Sequence, residues 1–171
     1  SGCRFLLDPK KVYFSSREGT ERLRIAGKIN EGDLVAVFFA GVGPFAVVLS
    51  RKSEAREIVG IEKNPVAVRY FKKNIQMNKL KNVIAIKADV KNAAEKFPKS
   101  FDRIIMPLPE KSIDYLSEAM KCLKPGGTIH TYFFAEENEI NEIKKKILSK
   151  TRKNVKFLSL QRVLPYAPGV F

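Results

Sequence analysis

Short apolar runs alternate along the chain with segments whose apolar residues recur at helical spacing. The apolar runs predict β-strands at residues 34–39, 58–62, 83–88, 103–106 and 128–134. Helical spacing predicts helices at residues 44–50, 64–77, 112–122 and 136–150, and the second of these would bury Val66, Tyr70, Phe71 and Ile75 on one face. Strands that alternate with helices pair in parallel, so the pattern predicts an α/β fold with a doubly wound sheet.

The two ends of the chain depart from this alternation. Residues 4–14 alternate loosely and predict a short strand or hairpin arm, and Thr20 is a candidate cap for a helix that runs to Ala26. The last two apolar runs, at residues 155–160 and 162–171, predict a closing antiparallel pair. We therefore expect a mostly parallel, seven-stranded sheet with an antiparallel C-terminal pair, preceded by a strand and helix lead-in over residues 1–30.

A glycine turn follows the first predicted strand, with the sequence A-G-V-G-P at residues 40–44. Glycine lacks a Cβ, which permits a sharp turn and the close approach of a ligand, and the helix beyond begins with free N–H groups. The second predicted strand ends in Glu62, 21 residues after Gly41. An acid at about this spacing is where nucleotide-binding αβ folds place the acceptor for the ribose hydroxyls. The glycines taken alone are equally compatible with a tight turn that binds nothing.

Length and charge narrow the class of protein. The chain has 171 residues, enough for one domain with a core, and its net charge of +14 predicts attraction to a polyanion such as nucleic acid. No apolar run is long enough to span a membrane and no signal peptide is recognised, so we expect a cytoplasmic protein without a membrane partner. Basic clusters that could contact phosphates lie at Lys72, Lys73, Lys79 and Lys81, and at Lys144, Lys145, Lys146, Lys150, Arg152 and Lys153.

The metal-binding residue types are too few to predict a metal site. Cys3 and Cys122 are the two cysteines and lie far apart, and His130 is the single histidine. A zinc site would need more ligands of these types at closer spacing. Nothing in the pattern demands a dimer, so a monomer is favoured.

The chain resembles the class I S-adenosylmethionine-dependent methyltransferases. The resemblance rests on the glycine turn, Glu62 at the end of strand two, Asp89 at the end of strand three and a Pro-containing motif after strand four. It implies S-adenosylmethionine as the cofactor, with Glu62 at the ribose hydroxyls, Asp89 at the adenine amino group and the turn against the methionine portion. The residues that it implies around the cofactor are Phe39, Ala40, Gly41, Gly43, Pro44, Phe45, Glu62, Lys63, Asn64, Asp89 and Met106.

A closer resemblance is to the archaeal and eukaryotic tRNA guanine-N1-methyltransferases, which modify the guanine 3′ of the anticodon. It rests on F-A-G-V-G-P-F at 39–45, E-K-N-P at 62–65 and K-V-Y-F-S-S-R-E-G-T-E-R-L-R-I at 11–25. It implies tRNA as the partner, and Tyr13, Glu21, Pro107 and Pro109 near the reacting guanine with Glu21 as general base. A solvated charge on the first helical turn is the alternative for Glu21. The family usually carries a separate N-terminal RNA-recognition domain, so we expect residues 31–171 to be the S-adenosylmethionine-binding part of a longer protein.

Two positions depart from the family pattern and keep other functions open. Val37 stands where the family has an acid, and Pro107 stands where it has Asn. Proline offers no side-chain donor or acceptor to a base, which is compatible with a wyosine-pathway paralogue that methylates a modified tricyclic guanine or transfers the aminocarboxypropyl arm of the cofactor. A non-catalytic tRNA-binding module would tolerate both changes. A nicotinamide dehydrogenase is less favoured, because the turn lacks the full G-x-G-x-x-G pattern.

Overall fold

The structure, a computed structural model, describes residues 2–152 and 155–163. Within these ranges the strands form one parallel sheet in the order β3-β2-β1-β4-β5. The order changes direction between β1 and β4, and ligands bind at the carboxyl ends of strands beside such a switch point. The strands are β1 (Leu34–Phe38), β2 (Glu57–Glu62), β3 (Val83–Lys87), β4 (Phe101–Met106) and β5 (Leu123–Thr131).

Helices connect these strands as the alternating pattern predicts. They are α1 (Gly19–Ala26), α2 (Pro44–Lys52), α3 (Pro65–Met77), α4 (Val90–Lys96), α5 (Leu116–Cys122) and α6 (Ile140–Lys150), with 3₁₀ turns at Ser112–Tyr115 and Glu137–Glu139. The Asn64 side chain caps α3 by accepting from the N–H groups of Val66 and Ala67, at 2.9 and 3.4 Å. In the part of the chain that the structure describes, no helix has the length and apolar character needed to cross a membrane.

The sheet separates two apolar layers. Ala36 and Phe38 of β1 face the layer beneath α4, α5 and α6, whereas Val35 and Val37 face the layer beneath α1, α2 and α3. This alternation follows from the two-residue period of a strand. Each large apolar side chain buried in this way contributes on the order of 2 kcal/mol to stability. The two layers hold the strands in register and so fix the positions of their carboxyl ends.

The segment before α1 runs along α3 and forms no strand, so the predicted strand or hairpin arm over residues 4–14 is wrong. Two asparagines, one turn apart at the end of α3, form hydrogen bonds with backbone groups of this segment. Asn78 accepts from Arg4 N at 3.0 Å and donates to Arg4 O at 2.7 Å, and Asn74 accepts from Leu6 N at 2.7 Å. Residues 2–18 are called the lead-in below.

Three local predictions differ from the structure. Thr20 lies inside α1, which begins at Gly19 without a side-chain cap. Ser112 begins a 3₁₀ turn, and its hydroxyl donates to Tyr132 O instead of capping α5. The segment after β3, which was predicted only as polar, forms α4, whose buried residues Val90, Ala93 and Ala94 have helical spacing.

The predicted antiparallel C-terminal pair is not confirmed. Residues 155–160 form no strand and lie along a cavity beside β5. Residues 162–163 form no strand either, and the rest of the second predicted strand, residues 164–171, lies outside the described residues. The parallel α/β sheet itself is confirmed with five strands in the described part of the chain.

Candidate cofactor site and reaction groove

The glycine turn lies at the carboxyl end of β1, next to the strand switch point. Ala40 N donates to Ile61 O at 3.0 Å, which ties the start of the turn to β2, and Gly43 N donates to Ala40 O at 2.9 Å, which closes the turn. Phe39, Gly41 and Gly43 have positive φ values of 55°, 56° and 87°. The chain therefore reverses over five residues, and α2 begins at Pro44 immediately afterwards.

The two glycines of the turn serve different purposes. A Cβ at Gly43 would lie 2.1 Å from Phe71 Cδ2, so the absence of a side chain lets α3 pack against the turn. A Cβ at Gly41 would meet no atom within 4 Å. Gly41 thus faces open space and is the glycine at which a ligand can approach the backbone.

Glu62 connects the glycine turn to the start of α3. Its Oε2 accepts from Gly41 N at 2.9 Å, and its Oε1 accepts from Asn64 N at 2.7 Å. An ionised carboxylate has about four acceptor positions. About two therefore remain for hydroxyl groups of a ligand at this edge of the sheet.

A cavity of about 170 Å³ lies at the ends of β2 and β3, where the residues before and after Glu62, Ile61 and Lys63, line it. Phe39, Lys63 and Asp89, all implied as cofactor residues, line it together with Tyr115. The rings of Phe39 and Tyr115 meet edge to face, with centroids 5.0 Å apart. Asp89 Oδ1 caps α4 by accepting from Lys91 N at 3.0 Å, and no partner is recorded for Oδ2 within the described ranges. The cavity offers a flat ligand an aromatic wall and a carboxylate.

The remaining residues implied around the cofactor are buried in the core or lie at the starts of helices. The side chains of Ala40, Phe45 and Met106 are buried in the core, so only the backbone groups of Ala40 and Met106 could contact a ligand at this edge. Pro44 is the first residue of α2, and Asn64 caps α3. The structure brings Phe39, Gly41, Glu62, Lys63 and Asp89 together at the sheet edge and places the others behind them.

A second, larger cavity of about 1210 Å³ runs past α1, the segment after β4 and the end of β5. We call it the reaction groove. Glu21, Pro107, Pro109, Phe45 and Tyr132 contribute to its lining. Pro107 and Pro109 are half-buried in a turn that Leu108 N closes by donating to Met106 O at 2.9 Å. Tyr13 lines neither cavity and has 80% of its surface exposed.

Glu21 is buried, so it is not a solvated charge on the first turn of α1. Arg24 Nε donates to Oε2 at 2.6 Å, and Arg24 Nη2 donates to Oε1 at 2.7 Å. Tyr132 Oη, from the segment after β5, donates to Oε1 at 2.7 Å. Burial and the carboxylate raise the pKa of Tyr132, and the hydrogen bond to Glu21 raises the pKa of Arg24. Both donors therefore keep their protons over the working pH range.

Arg22 is a second buried charge that the sequence analysis did not identify. Its Nη2 donates to Ser15 O at 2.7 Å and to Glu18 Oε2 at 2.9 Å, and its guanidinium lies 5.6 Å from the ring centre of Phe45. Burial lowers its pKa, and its Nε has no hydrogen-bond partner in the described structure. Arg22 lies three residues before Ile25, which is buried in the same helix, and this spacing is the signal in the sequence that predicts its burial.

A further polar cluster joins Asp33, just before β1, to Arg103 of β4 and His130 near the end of β5. Arg103 Nη1 lies 2.9 Å from His130 Nε2, and Arg103 Nε lies 3.4 Å from Asp33 Oδ2. Burial, and then the neighbouring guanidinium, lower the pKa of His130 to about 3. His130 is therefore neutral at physiological pH. Over residues 2–152 and 155–163, no group of three or more His, Cys, Asp or Glu side chains is arranged to hold a metal ion.

Comparison with known proteins identifies relatives of the chain. The TRM5/TYW2 methyltransferase domain family matches residues 1–158. The chain is 41% identical over 139 residues to the Pyrococcus abyssi tRNA (guanine(37)-N(1))-methyltransferase Trm5b, a match that covers 81% of this chain and 40% of that protein. The chain thus spans about two fifths of that relative.

A second relative carries out a different reaction of the wyosine pathway. The chain is 34% identical to the Methanocaldococcus jannaschii tRNA(Phe) (4-demethylwyosine(37)-C(7)) aminocarboxypropyltransferase, over 99% of this chain and 69% of that protein. The crystal structure of M. jannaschii TYW2 in complex with AdoMet superposes with a TM-score of 0.90 at 34% identity, and covers 99% of this chain and 78% of that one. Both reactions are therefore represented among the relatives.

Proposed function

The chain belongs to the TRM5/TYW2 methyltransferase family, and on that premise we propose that it transfers the methyl group of S-adenosylmethionine to N1 of the guanine 3′ of the tRNA anticodon. The observation that carries the proposal is the buried carboxylate of Glu21 in the reaction groove, which Arg24 and Tyr132 hold in place. N1 of guanine bears a proton, and its methylation requires a proton acceptor beside the base.

The residues at the sheet edge fit S-adenosylmethionine. Glu62 has about two acceptor positions left for the ribose hydroxyls, after those that Gly41 N and Asn64 N occupy. Asp89 stands at the aromatic cavity where an adenine amino group would need an acceptor. The open face of Gly41 leaves room for the methionine portion. When bound, the cofactor supplies an electrophilic methyl group on a positively charged sulfur.

Glu21 is suited to act as the general base of this reaction. Arg24 and Tyr132 use three of its acceptor positions, so about one of four remains for the N1–H of guanine. The bound cofactor would supply the methyl group to N1, and the free position of Glu21 would accept the N1 proton that has to leave. Arg24 and Tyr132 hold the carboxylate in position, and such positioning supplies much of the rate.

The surface charge supports tRNA as the partner. The lysines at 72, 73, 79 and 81 are exposed along the end of α3 and the loop before β3, and the chain carries a net charge of +14. Each lysine that neutralises a phosphate releases a counterion, so affinity should fall steeply as salt is raised. This part of the proposal is tested by filter binding of tRNA at salt concentrations from about 50 to about 200 mM, which gives the dependence of affinity on salt.

A specific observation favours a second candidate, the aminocarboxypropyl transfer of the wyosine pathway. Val37 is fully buried among apolar side chains, so this position offers no acid to the amino group of the cofactor. Pro107 offers the base no side-chain hydrogen bond. A cofactor held differently at its methionine end would expose another sulfonium carbon to attack. Methylation of a tricyclic guanine and non-catalytic tRNA binding are further possibilities that the same experiment separates.

The test is one incubation of the chain with S-adenosylmethionine and tRNA, followed by digestion to nucleosides and mass analysis. We would use tRNA with unmodified guanine 3′ of the anticodon and, in parallel, tRNA that carries 4-demethylwyosine there. A methyl group on N1 of guanine supports the proposal, and an aminocarboxypropyl group on the modified base supports the second candidate. Absence of product together with absence of cofactor binding, measured by calorimetry, would favour a tRNA-binding module.

Other sequence predictions remain proposals. We place the protein in the cytoplasm as a monomer, because its substrate would be tRNA and nothing in its pattern demands a partner subunit. The division into an N-terminal region over residues 1–30 and a cofactor-binding domain over residues 31–171 is likewise proposed. Size-exclusion chromatography with light scattering tests the monomer, and proteolysis mapping tests the division.

A further inference from the structure

The peptide between Val42 and Gly43 is held at both of its polar ends. Its N–H, from Gly43, donates to Ala40 O at 2.9 Å, and its carbonyl, from Val42, accepts from Asn74 Nδ2 at 2.9 Å. The glycines on either side of Val42 both have positive φ values. Glycine has more backbone freedom than other residues, so a turn built in this way needs outside contacts to keep one shape.

Asn74 also binds the lead-in, 68 residues away in sequence. Its Oδ1 accepts from Leu6 N at 2.7 Å, and its Nδ2 donates to Leu6 O at 3.3 Å as well as to Val42 O. The side chain is fully buried, with 0% of its surface exposed. One amide group therefore connects the lead-in directly to the glycine turn.

An apolar contact joins the same two segments. The Val42 side chain is fully buried in a cluster with Val12 and Ala67. Leu7 and Phe14 of the lead-in pack against this cluster. The lead-in is thus connected to Val42 in two ways. It packs in the same cluster as the Val42 side chain, and it bonds to Asn74, which in turn donates to the Val42 carbonyl.

Asn78 provides a matched comparison on the same face of α3. It accepts from Arg4 N at 3.0 Å and donates to Arg4 O at 2.7 Å, which repeats the bonds of Asn74 to Leu6 one turn later. Its remaining hydrogen bond is to Asn74 O, at 2.8 Å, within α3. Both asparagines dock the lead-in, and of the two Asn74 alone bonds to the glycine turn.

We propose that Asn74 is a positioning residue for the cofactor turn, through which the docking of the lead-in raises the affinity for S-adenosylmethionine. The inference rests on the proposed cofactor site. A turn that is already ordered binds its ligand more tightly, because binding then loses less conformational entropy. By reciprocity, bound cofactor must strengthen the docking of the lead-in by the same factor.

The first test compares Asn74→Asp with Asn78→Asp by calorimetric titration of the whole chain with S-adenosylmethionine. Each change keeps the size of the side chain but replaces the donor by an oxygen that faces carbonyl groups. We expect Asn74→Asp to weaken cofactor binding about tenfold or more, because it loses the buried hydrogen bond to Val42 O. Asn78→Asp has no such bond to lose and should weaken binding less than about threefold. Thermal unfolding of both variants measures the structural cost that they share.

A second measurement needs no variant and guards against failure of Asn74→Asp to fold. Hydrogen exchange of the wild-type chain is followed at the amides of Leu6 and Arg4, with and without cofactor. We expect the cofactor to slow exchange at Leu6 about tenfold, the reciprocal of the first effect, and to slow exchange at Arg4 less.

The outcomes distinguish this inference from the proposed function. Equal loss of affinity in the two variants, or an unchanged exchange rate at Leu6, would overturn the role of Asn74 while the cofactor site stands. A wild-type chain that does not bind S-adenosylmethionine at all would overturn both. Weaker binding in Asn74→Asp than in Asn78→Asp, together with slowed exchange at Leu6, would establish the coupling.

Discussion

The two parts of the candidate site, the cofactor half at the glycine turn and the reaction half at the reaction groove, hold their carboxylates in different ways. In the cofactor half, backbone groups hold them: Glu62 accepts from Gly41 N and Asn64 N, and Asp89 accepts from Lys91 N. In the reaction half, side chains hold Glu21, and one of them, Tyr132, lies 111 residues further along the chain. A backbone-held group depends on the path of the chain, whereas a side-chain-held group depends on the identity of each partner.

This difference suggests a division of labour that experiment can test. Backbone N–H groups orient the cofactor half whatever side chains surround it, and the half should therefore set affinity for S-adenosylmethionine. Charged and hydroxyl side chains hold the carboxylate of the reaction half, which should set the rate. The predictions below would break or sharpen this division, in order of decreasing effect.

The largest effect is expected from Glu21→Gln. The amide has the shape of the carboxylate but cannot take the N1 proton, so kcat should fall about 10²–10⁴-fold while cofactor affinity is kept. Single-turnover methylation gives the rate and calorimetry gives the affinity. Glu57→Gln, at the opposite end of β2 from Glu62, is the control and should leave both unchanged. A kcat within about threefold of wild type would remove Glu21 from the mechanism.

The converse effect is expected from Glu62→Ala. The change removes the proposed ribose acceptor and leaves Gly41 N and Asn64 N without their partner, so cofactor affinity should fall about tenfold to a hundredfold. At saturating cofactor, kcat should be nearly that of wild type. Glu62→Gln keeps an acceptor oxygen and should lose less affinity. Unchanged affinity in Glu62→Ala would count against the ribose role, and a large loss of kcat would break the division between the two halves.

Within the cofactor half, Gly43→Ala should destabilise the fold more than Gly41→Ala. Both place a side chain at positive φ, which costs about 1–2 kcal/mol, but a Cβ at Gly43 also meets Phe71 and adds about 1–3 kcal/mol of overpacking. Urea unfolding should show an excess of about 2 kcal/mol for Gly43→Ala. Equal unfolding free energies for the two variants would contradict the separate roles of the glycines.

The smallest effect, a loss of rate, is expected from Tyr132→Phe. The raised pKa of Tyr132 keeps its hydroxyl protonated as a donor to Glu21. Without that donor the carboxylate loses one of the contacts that orient it, so kcat should fall about threefold to tenfold while cofactor affinity is kept. Tyr70→Phe, at a half-buried tyrosine of α3, is the control. An unchanged kcat would mean that Tyr132 only packs in the groove.

The cofactor half could be predicted from the sequence because its interactions are local. The glycine turn, Glu62 at a strand end and Asn64 before Pro65 each follow from residue type and spacing over a few positions. Asp89, predicted at the end of β3, caps α4 and also lines the smaller cavity. The boundaries of β1 and α3 moved by one residue at most from their predicted positions.

The buried face of α3 shows where local reasoning ends. Spacing predicts Val66, Tyr70, Phe71 and Ile75 on one face, and all four pack against the core, with Phe71 fully buried. The structure also buries Ala67, Val68 and Asn74. The buried face is wider than predicted because the lead-in covers one side of the helix and supplies backbone partners to an asparagine there. Only the packing of residues far apart in the chain makes a polar side chain suitable for burial.

The sequence by itself therefore determined the parallel α/β fold, the glycine turn and the carboxylates at the strand ends, because each depends on hydrogen bonds between near neighbours and on simple periodicities. Tertiary structure alone decided that Glu21 is buried with Tyr132, that Arg22 lies inside, and that Asn74 joins the lead-in to the turn. These three arrangements depend on segments that folding brings together. Glu, Arg and Asn are equally compatible with an exposed surface position, so residue type alone does not predict their burial.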